Sequence, residues 1–359
     1  MKKALIAMSG GVDSAVAALL TLETGAAAVG CTMKLHGGEE AGRPGTCCAL
    51  SDVEDARSVA VRLGMPHYVF NFQDDFRDAV IKPFCESYLR GETPNPCIEC
   101  NRSLKFGRLY ARAMELGCDT VVTGHYARAV EENGRFLLKK ALDPDKDQSY
   151  VLYMLTPEQL RHTFFPLGTR TKPEVRRIAA EHGFVNADKP DSQDICFVPD
   201  GDYAAVVERE TGVVSPPGDF IDASGKVLGT HRGVIRYTVG QRRGLGIPAE
   251  RSLYVTSLDP AANTVTLGYK EALFSDTCEL RNINLISVPK IEGALRAAVK
   301  IRYRHPEQPA VVTQTGPDTL LVRFDEPQRA ITKGQAAVIY DGDVVVGGGT
   351  IAKVIKDES

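Results

Sequence analysis

The chain has 359 residues, 43% hydrophobic and 25% charged, with a formal net charge of −3; at roughly 150 residues per domain, this length predicts two or three domains. No apolar run nears the roughly 18 residues of a membrane-spanning helix, and the apolar stretch after Lys2 and Lys3 is too short for a secretory signal, so no membrane partner is expected. Nine cysteines, odd in number and irregularly spaced, argue against a disulfide framework and for a reducing, cytoplasmic setting.

Residues 3–8 (KALIAM) form a short apolar run, residues 13–24 are rich in Ala and Leu up to Gly25, and residues 27–33 are apolar again. The alternation repeats, with helical character at 51–63 up to Gly64, strand-like HYVFNF, helical character at 74–89 and 102–116, and the strand DTVVTGH. Strands alternating with helices of this length predict parallel βαβ units, an α/β fold with a doubly wound parallel sheet. RAVEENGRFLLKKAL predicts a hairpin turning at Asn133-Gly134. Thr156 with Gln159 and Thr171 with Glu174 have capping-box spacing. From SPPG (215–218) onward, β-branched runs are separated by Gly, Asp-Pro or Asp-Gly turns. The expected domains are therefore an α/β domain over 1–205, a small β-rich module over 206–275 and a C-terminal β-barrel over 276–359.

A net negative chain is a poor ligand for nucleic acid, yet its charge is uneven. Residues 223–249 hold no acidic residue while carrying Lys226, Arg232, Arg236, Arg242 and Arg243, and a second island comprises Arg296, Lys300, Arg302, Arg304 and His305. Arg102, Lys105, Arg108 and Arg112, read at helical spacing, form one basic stripe suited to an external anion such as an RNA backbone.

Ser9-Gly10-Gly11-Val12-Asp13-Ser14 lies between the first strand and the first helix, where a parallel sheet offers its carboxyl edge to ligands. Two glycines let backbone N–H groups approach phosphate, the helix start adds partial positive charge, and Ser9 and Ser14 can donate hydroxyls. Asp13 would repel phosphate, so its expected task is to hold Mg2+ or to cap the helix. The motif is neither a Walker A loop nor a dinucleotide fingerprint. SGGVDS resembles the pyrophosphate loop of the ATP pyrophosphatase superfamily, whose fold is adenine nucleotide alpha hydrolase-like. That resemblance implies ATP binding by Ala7, Met8, Ser9, Gly10, Gly11, Val12, Asp13 and Ser14, with Met33 and Gly124 at the adenosine.

Cys97 and Cys100 follow Pro94, Asn95 and Pro96. A structural zinc site needs four ligands, and Cys47-Cys48 are adjacent and ill placed to complete one. A thioredoxin-like pair and two structural thiols are the other readings. The helix start and the cations after Cys100 favour a reactive thiolate there. A third thiol, Cys196, sits in DSQDICF.

TPNPxxxCN at 93–101, DSxxxCF at 191–197, KDQSY at 146–150, GHYAR at 124–128, TVGQRRGLG at 238–246 and KIRYRHP at 300–306 together resemble the tRNA 2-thiouridylase family, nearly end to end. The resemblance implies ATP-dependent thiolation of the wobble uridine (U34) of tRNA: uracil O2 is adenylated and a persulfide sulfur then attacks C2. It implies catalytic roles for Cys100, beside the base, and for Cys196, which takes a persulfide from a sulfur-relay protein or cysteine desulfurase, with a Cys100–Cys196 disulfide left after release. It implies tRNA contacts by Asn95, Pro96, Cys97, His125, Lys146, Asp147, Gln148, Arg302, Tyr303 and Gln335. Many relatives carry Asp where this chain has Cys97. Cys97, Cys100 and Cys196 together suit a 4Fe-4S cluster with one open iron, so a persulfide pair with a spare thiol and a three-ligand cluster both stand. Two rivals remain: an amide or thiocarboxylate ligase of the same superfamily, and a nucleotide-binding regulator.

Overall fold

The structure is a computed structural model that describes residues 1–36, 50–191, 195–198 and 200–356. The chain divides into two compact units. One comprises Met1–Val80, Pro96–Gly201 and Asp343–Val345; the other comprises Ile81–Asn95, Asp202–Gly342 and Val346–Ser359.

In the first unit, strands β1 (Lys3–Ala7), β2 (Ala27–Lys34), β3 (His67–Asn71) and β4 (Thr120–Val122) alternate with helices α1 (Val12–Glu23) and α2 (Leu50–Arg62), as the apolar pattern predicts. The sheet order is β3-β2-β1-β4-β7, with β7 at Thr163–Phe164, and every pairing is parallel. Ala4, Leu5 and Ile6 of β1 are fully buried, because a central parallel strand is covered on both faces and needs an unbroken apolar run. Over it lies the small-residue face of α1, where Ala15, Val16, Ala17 and Ala18 are buried in one core with Met8, Val59 and Val122.

Two helical runs are not uniform α-helix. Gln73–Leu89 consists of α3 (Gln73–Phe76), a π-type segment (Arg77–Ile81) and α4 (Lys82–Leu89). Pro96–Glu115 consists of α5 (Pro96–Cys100), a π-type segment (Asn101–Arg108) and α6 (Leu109–Glu115). The expected hairpin is β5 (Ala127–Glu132) and β6 (Arg135–Lys140). Asn133 and Gly134 take φ of 52° and 77°, the two left-handed residues of a type I′ turn. Val344 lies beside Lys139 as a further strand on this hairpin.

Both capping sites form. Helix α7 (Pro157–Arg161) starts with a reciprocal box between Thr156 and Gln159. At α8 (Lys172–Glu181), the Glu174 carboxylate accepts from the Thr171 N–H at 2.7 Å and its hydroxyl at 2.8 Å.

In the second unit, Tyr88 of α4 stacks on Tyr203 of α9 (Tyr203–Thr211) with centroids 4.8 Å apart. A four-stranded sheet follows, in order β10-β11-β8-β9, from β8 (Gly218–Ile221), β9 (Val227–His231), β10 (Tyr254–Asp259) and β11 (Thr264–Gly268). The last strands are β12 (Phe274–Leu285), β13 (Ala294–Lys300), β14 (Gln308–Gly316), β15 (Thr319–Arg329), β16 (Ala336–Asp341) and β17 (Val344–Ile355). They run in the order β12-β15-β14-β13-β16-β17, and a β12–β17 pairing closes the barrel. Its interior is filled by Cys278, Val299, Val312, Val322 and Ile339.

The basic islands are less bare than the sequence predicts. Arg236 makes two 2.8 Å bonds to the Glu208 carboxylate, and Arg296 pairs with Asp325. Distance along the chain hides acids that the fold brings near.

Candidate active site around the phosphate loop

The loop leaves β1 at Ala7 and enters α1 at Val12, with the Met8 N–H bonded to the Cys31 carbonyl at 2.7 Å. Gly10 has φ +77°, and a Cβ there would stand 2.3 Å from the Asp52 carbonyl oxygen. Only glycine fits between loop and α2. The Gly10 carbonyl accepts from Asn186 Nδ2 at 3.0 Å and Lys189 Nζ at 3.4 Å. Lys189 also donates to Asp52 at 2.6 Å and Asp55 at 2.7 Å.

Ser9 is exposed, whereas Ser14 is buried, accepting from the Ser9 N–H and donating to the Gly11 carbonyl at 2.9 Å. Ser14 therefore shapes the loop from within. Gly11 is the N-cap of α1, with no side-chain cap. That corrects the capping expectation for Asp13, whose carboxylate is drawn elsewhere. It accepts from the Tyr126 hydroxyl at 2.8 Å and from Lys172 Nζ at 2.8 and 2.7 Å. Burial, with Asp13 beside it, pushes the Tyr126 phenol up, so it stays a donor.

Gly124 closes over the same turn; a Cβ would lie 2.8 Å from the Asp13 carbonyl carbon and 2.9 Å from the Ser14 nitrogen. Met33 sits on β2, paired with Phe70 of β3.

The loop of residues 146–148 is built by its own side chains. Asp147 accepts from the Ala141 and Ser149 N–H groups and the Ser149 hydroxyl, and Gln148 accepts from the Tyr126 N–H at 3.0 Å. Lys146 bonds to Asp191 at 2.9 Å, and Asp191 also pairs with Lys172 at 2.7 Å and Arg176 at 3.3 Å. Burial alone would raise the Asp191 carboxyl, but the bonds from Lys172 and Lys146 hold it below the usual range.

Cys97 and Cys100 lie in the opening turns of Pro96–Glu115, Cys97 exposed and Cys100 half-buried. The basic stripe after them does not form. A π-type segment turns less per residue than an α-helix, which fans the four cations apart. Arg108 pairs with Asp75 at 2.9 Å, Arg112 with Glu115 at 2.5 Å, Arg102 lies 3.6 Å from Glu99, and Lys105 turns inward to His125 at 3.4 Å. His125 is itself buried, bonded to Thr123 at 2.7 Å, with its ring among Phe106 and Phe165. Burial first and Lys105 second hold its pKa well below 6.5.

Half-buried Cys196 precedes Phe197, which packs edge-on against Phe76 at 5.7 Å. Asp75 anchors the helical run that carries Cys100, and its neighbour Phe76 anchors the segment that carries Cys196. Both contacts are made by neighbouring residues of α3. Cys47 and Cys48 lie outside the described residues.

In the second unit, the Thr93 N–H bonds to the Lys333 carbonyl at 2.9 Å and Gln335 Nε2 donates to the Thr93 carbonyl at 2.8 Å. Gln335 is thereby held against the backbone two residues before Asn95, an approach made possible by Gly334, whose Cβ would meet Glu92 and Thr93 at 2.9 Å. Arg302 donates to the Arg329 carbonyl at 3.1 Å, and Tyr303 beside it is exposed.

Sequence reasoning missed Tyr126, Lys172, Asn186, Lys189 and Asp191. A lone lysine opening a helix or following a turn has no local signal that separates it from a solvated one.

With that geometry established, comparison with known proteins places the chain. A model described as tRNA methyl transferase HUP domain matches residues 2–200. A relative from Clostridioides difficile (strain 630), named tRNA-specific 2-thiouridylase MnmA, is 49% identical over 98% of both chains. The chain belongs to the tRNA-specific 2-thiouridylase family. Proteins of the same name from Caldanaerobacter subterraneus subsp. tengcongensis and Clostridium acetobutylicum are each 47% identical, over 99% and 98% of this chain and 99% of each relative. Models described as a tRNA methyl transferase PRC-barrel domain and an aminomethyltransferase beta-barrel domain match residues 206–269 and 275–351 of this 2-thiouridylase family member. Among the described residues, no helix is long and apolar enough to cross a membrane.

Proposed function

We propose that the chain is a cytoplasmic tRNA-uridine 2-sulfurtransferase that converts the wobble uridine to 2-thiouridine at the expense of ATP. The near full-length similarity to proteins named tRNA-specific 2-thiouridylase carries this reading, and the phosphate loop at the sheet edge supports it. The domains proposed are 1–205 for nucleotide and chemistry, 206–275 as a central module and 276–359 as a tRNA-contacting barrel.

ATP lies with its phosphates at Ser9–Val12 and its adenosine by Met33 and Gly124. Mg2+ is commonly held by one or two carboxylates and the substrate phosphates, and Asp13 fits that donor set. It would neutralise the phosphates.

Uracil O2 attacks the α-phosphorus, the bond to the β-phosphate oxygen breaks, and pyrophosphate leaves. O2 becomes part of an AMP leaving group. The outer sulfur of a Cys196 persulfide, supplied by a relay protein or desulfurase, attacks C2 and AMP departs. The Cys100 thiolate then attacks Cys196 Sγ. The sulfur–sulfur bond breaks, 2-thiouridine is released, and a Cys100–Cys196 disulfide remains for an external thiol to reduce. Among the described residues, no group of three or more His, Cys, Asp or Glu could hold a metal. The chemistry proposed runs through the thiols of Cys100 and Cys196, and a cluster held by Cys97, Cys100 and Cys196 is the second reading.

Asn95, Pro96 and Cys97 border the target base, with Arg302, Tyr303 and Gln335 as further tRNA contacts. Lys146, Asp147 and Gln148 shape the loop that meets tRNA, and buried His125 acts by holding Lys105. The test incubates the purified chain with unmodified tRNA, ATP and a persulfide donor, then measures nucleosides by mass. Formation of 2-thiouridine supports the reading; pyrophosphate release independent of tRNA would favour the ligase instead.

A further inference from the structure

Lys172 opens α8 with its side chain 9% exposed, and its ammonium spends its hydrogens on both oxygens of Asp13 and on Asp191. It stands 5.8 Å from the centre of the Tyr126 ring, and its backbone N–H is fixed to the Asp143 carboxylate at 3.0 Å. Burying such a charge cluster stabilises a fold little compared with apolar packing. Its position is more informative. Asp13 lies in the first turn of α1, whose N–H groups point where the loop receives phosphate, and its carboxylate repels a polyphosphate unless a cation is within reach.

Lys172 is a cation already in place there, alongside the Mg2+ proposed at Asp13. A lysine is a compact point charge on a flexible four-carbon stem, so the head can swing while its backbone stays fixed. Asp191 keeps Lys146 and Arg176 as partners if the ammonium turns away.

We propose that Lys172 contacts the polyphosphate of ATP, its ammonium turning from Asp191 to the pyrophosphate portion while staying beside Asp13. This deepens the ATP-dependent reading above and rests on it.

The test is isothermal titration of the full chain with ATP, pyrophosphate and AMP, each with magnesium. K172M is expected to weaken ATP and pyrophosphate by about tenfold or more, the loss of one charge-assisted contact, while AMP stays within about threefold and K172R recovers most of the loss. A second comparison separates contact from mere neutralisation of Asp13. If Lys172 touches phosphate, D13N/K172M binds pyrophosphate more weakly than D13N; equal affinities would overturn the proposal, as would an equal loss for AMP and ATP. The double variant buries no unpaired carboxylate, which keeps the comparison available should K172M alone fail to fold. No RNA enters the assay, so failure of the thiolation reading leaves its outcome intact. Absence of ATP binding by the unaltered chain would instead remove the reading and the proposal together.

Discussion

Gly10 and Gly11 are neighbours in one motif, yet they are glycine for different physical reasons, and substituting each by alanine separates them. At Gly10 the backbone has φ +77° and the new Cβ would sit 2.3 Å from the Asp52 carbonyl oxygen, where ordinary contact begins near 3.4 Å. The start of α2 or the loop must move by about 1 Å, an overpacking strain of about 1–3 kcal/mol. The left-handed conformation adds about 1–2 kcal/mol. Gly10→Ala should therefore destabilise the first unit by about 2–5 kcal/mol and lower its melting temperature by on the order of 10 °C. Gly11 has φ −88° and ψ 159°, and its Cβ would meet nothing nearer than Ser9 Oγ at 3.5 Å. Alanine is a poorer N-cap by about 0.5–1 kcal/mol, offset by about 0.4–1 kcal/mol from a stiffer unfolded chain. Gly11→Ala should melt nearly as the parent does, yet bind ATP more weakly because its methyl crowds the phosphates. Thermal melts and ATP titration of both variants check this. A Gly10→Ala protein melting within a degree or two of the parent, or a Gly11→Ala protein melting lower than Gly10→Ala, would refute the reasoning.

Cys100→Ser and Cys196→Ser should each abolish 2-thiouridine formation while ATP affinity stays within about twofold; nucleoside mass analysis and titration report the two. Purified without oxygen, the chain should be colourless near 400 nm, and stoichiometric iron with a broad band there would restore the cluster. In alkylation at pH 8, exposed Cys97 should react early, whereas burial pushes Cys85 up to about 11 and Cys278 up to about 12, leaving them almost wholly protonated and unreactive; tryptic mass mapping over time tests the order. His125 should stay neutral at the pH where an ordinary imidazole takes up its proton, because burial first and Lys105 second lower its pKa. Its folded pKa lies below the unfolded value of about 6.5, so below that pH the unfolded chain binds the extra proton and stability falls, with at most about 1.4 kcal/mol per pH unit from this one site. Denaturation against pH should show a shallower acid slope in His125→Gln, and finding that the imidazole proton resonance this substitution removes titrates near pH 6.5 would contradict the burial. Asp147→Ala leaves two backbone N–H groups and a hydroxyl without their acceptor and should cost about 1–3 kcal/mol, with Asp147→Asn costing less.

The sheet was readable because buried parallel strands are continuous apolar runs, as in KALIAM, and because Gly25 and Gly64 end the helices between them. The hairpin and both capping sites were readable because their chemistry is local. The basic stripe failed for a reason no periodicity could reveal. The choice between α and π winding over Asn101–Arg108 is made by tertiary partners, among them Asp75, His125 and the Val151 carbonyl that receives Asn101. The thiols and the phosphate loop were legible as motifs. The cations serving that loop were not, since Lys172 and Lys189 acquire meaning only when α8 and the turn after it are brought against Asp13, Asp52 and Asp55. The burial of His125 was equally invisible, because GHYAR carries no mark of which face is covered.

The two π-type segments also bear on how this helix pair tolerates changes of length. A wider-wound stretch accommodates an added residue while leaving the ends of the helix in place. Removing a single residue between Asn101 and Arg108 would let the run tighten to ordinary winding with its ends held, displacing chiefly the side chains inside the segment, Lys105 against His125 among them. One-residue deletions there should therefore be better tolerated than deletions in the ordinary α-helical turns of Leu109–Glu115.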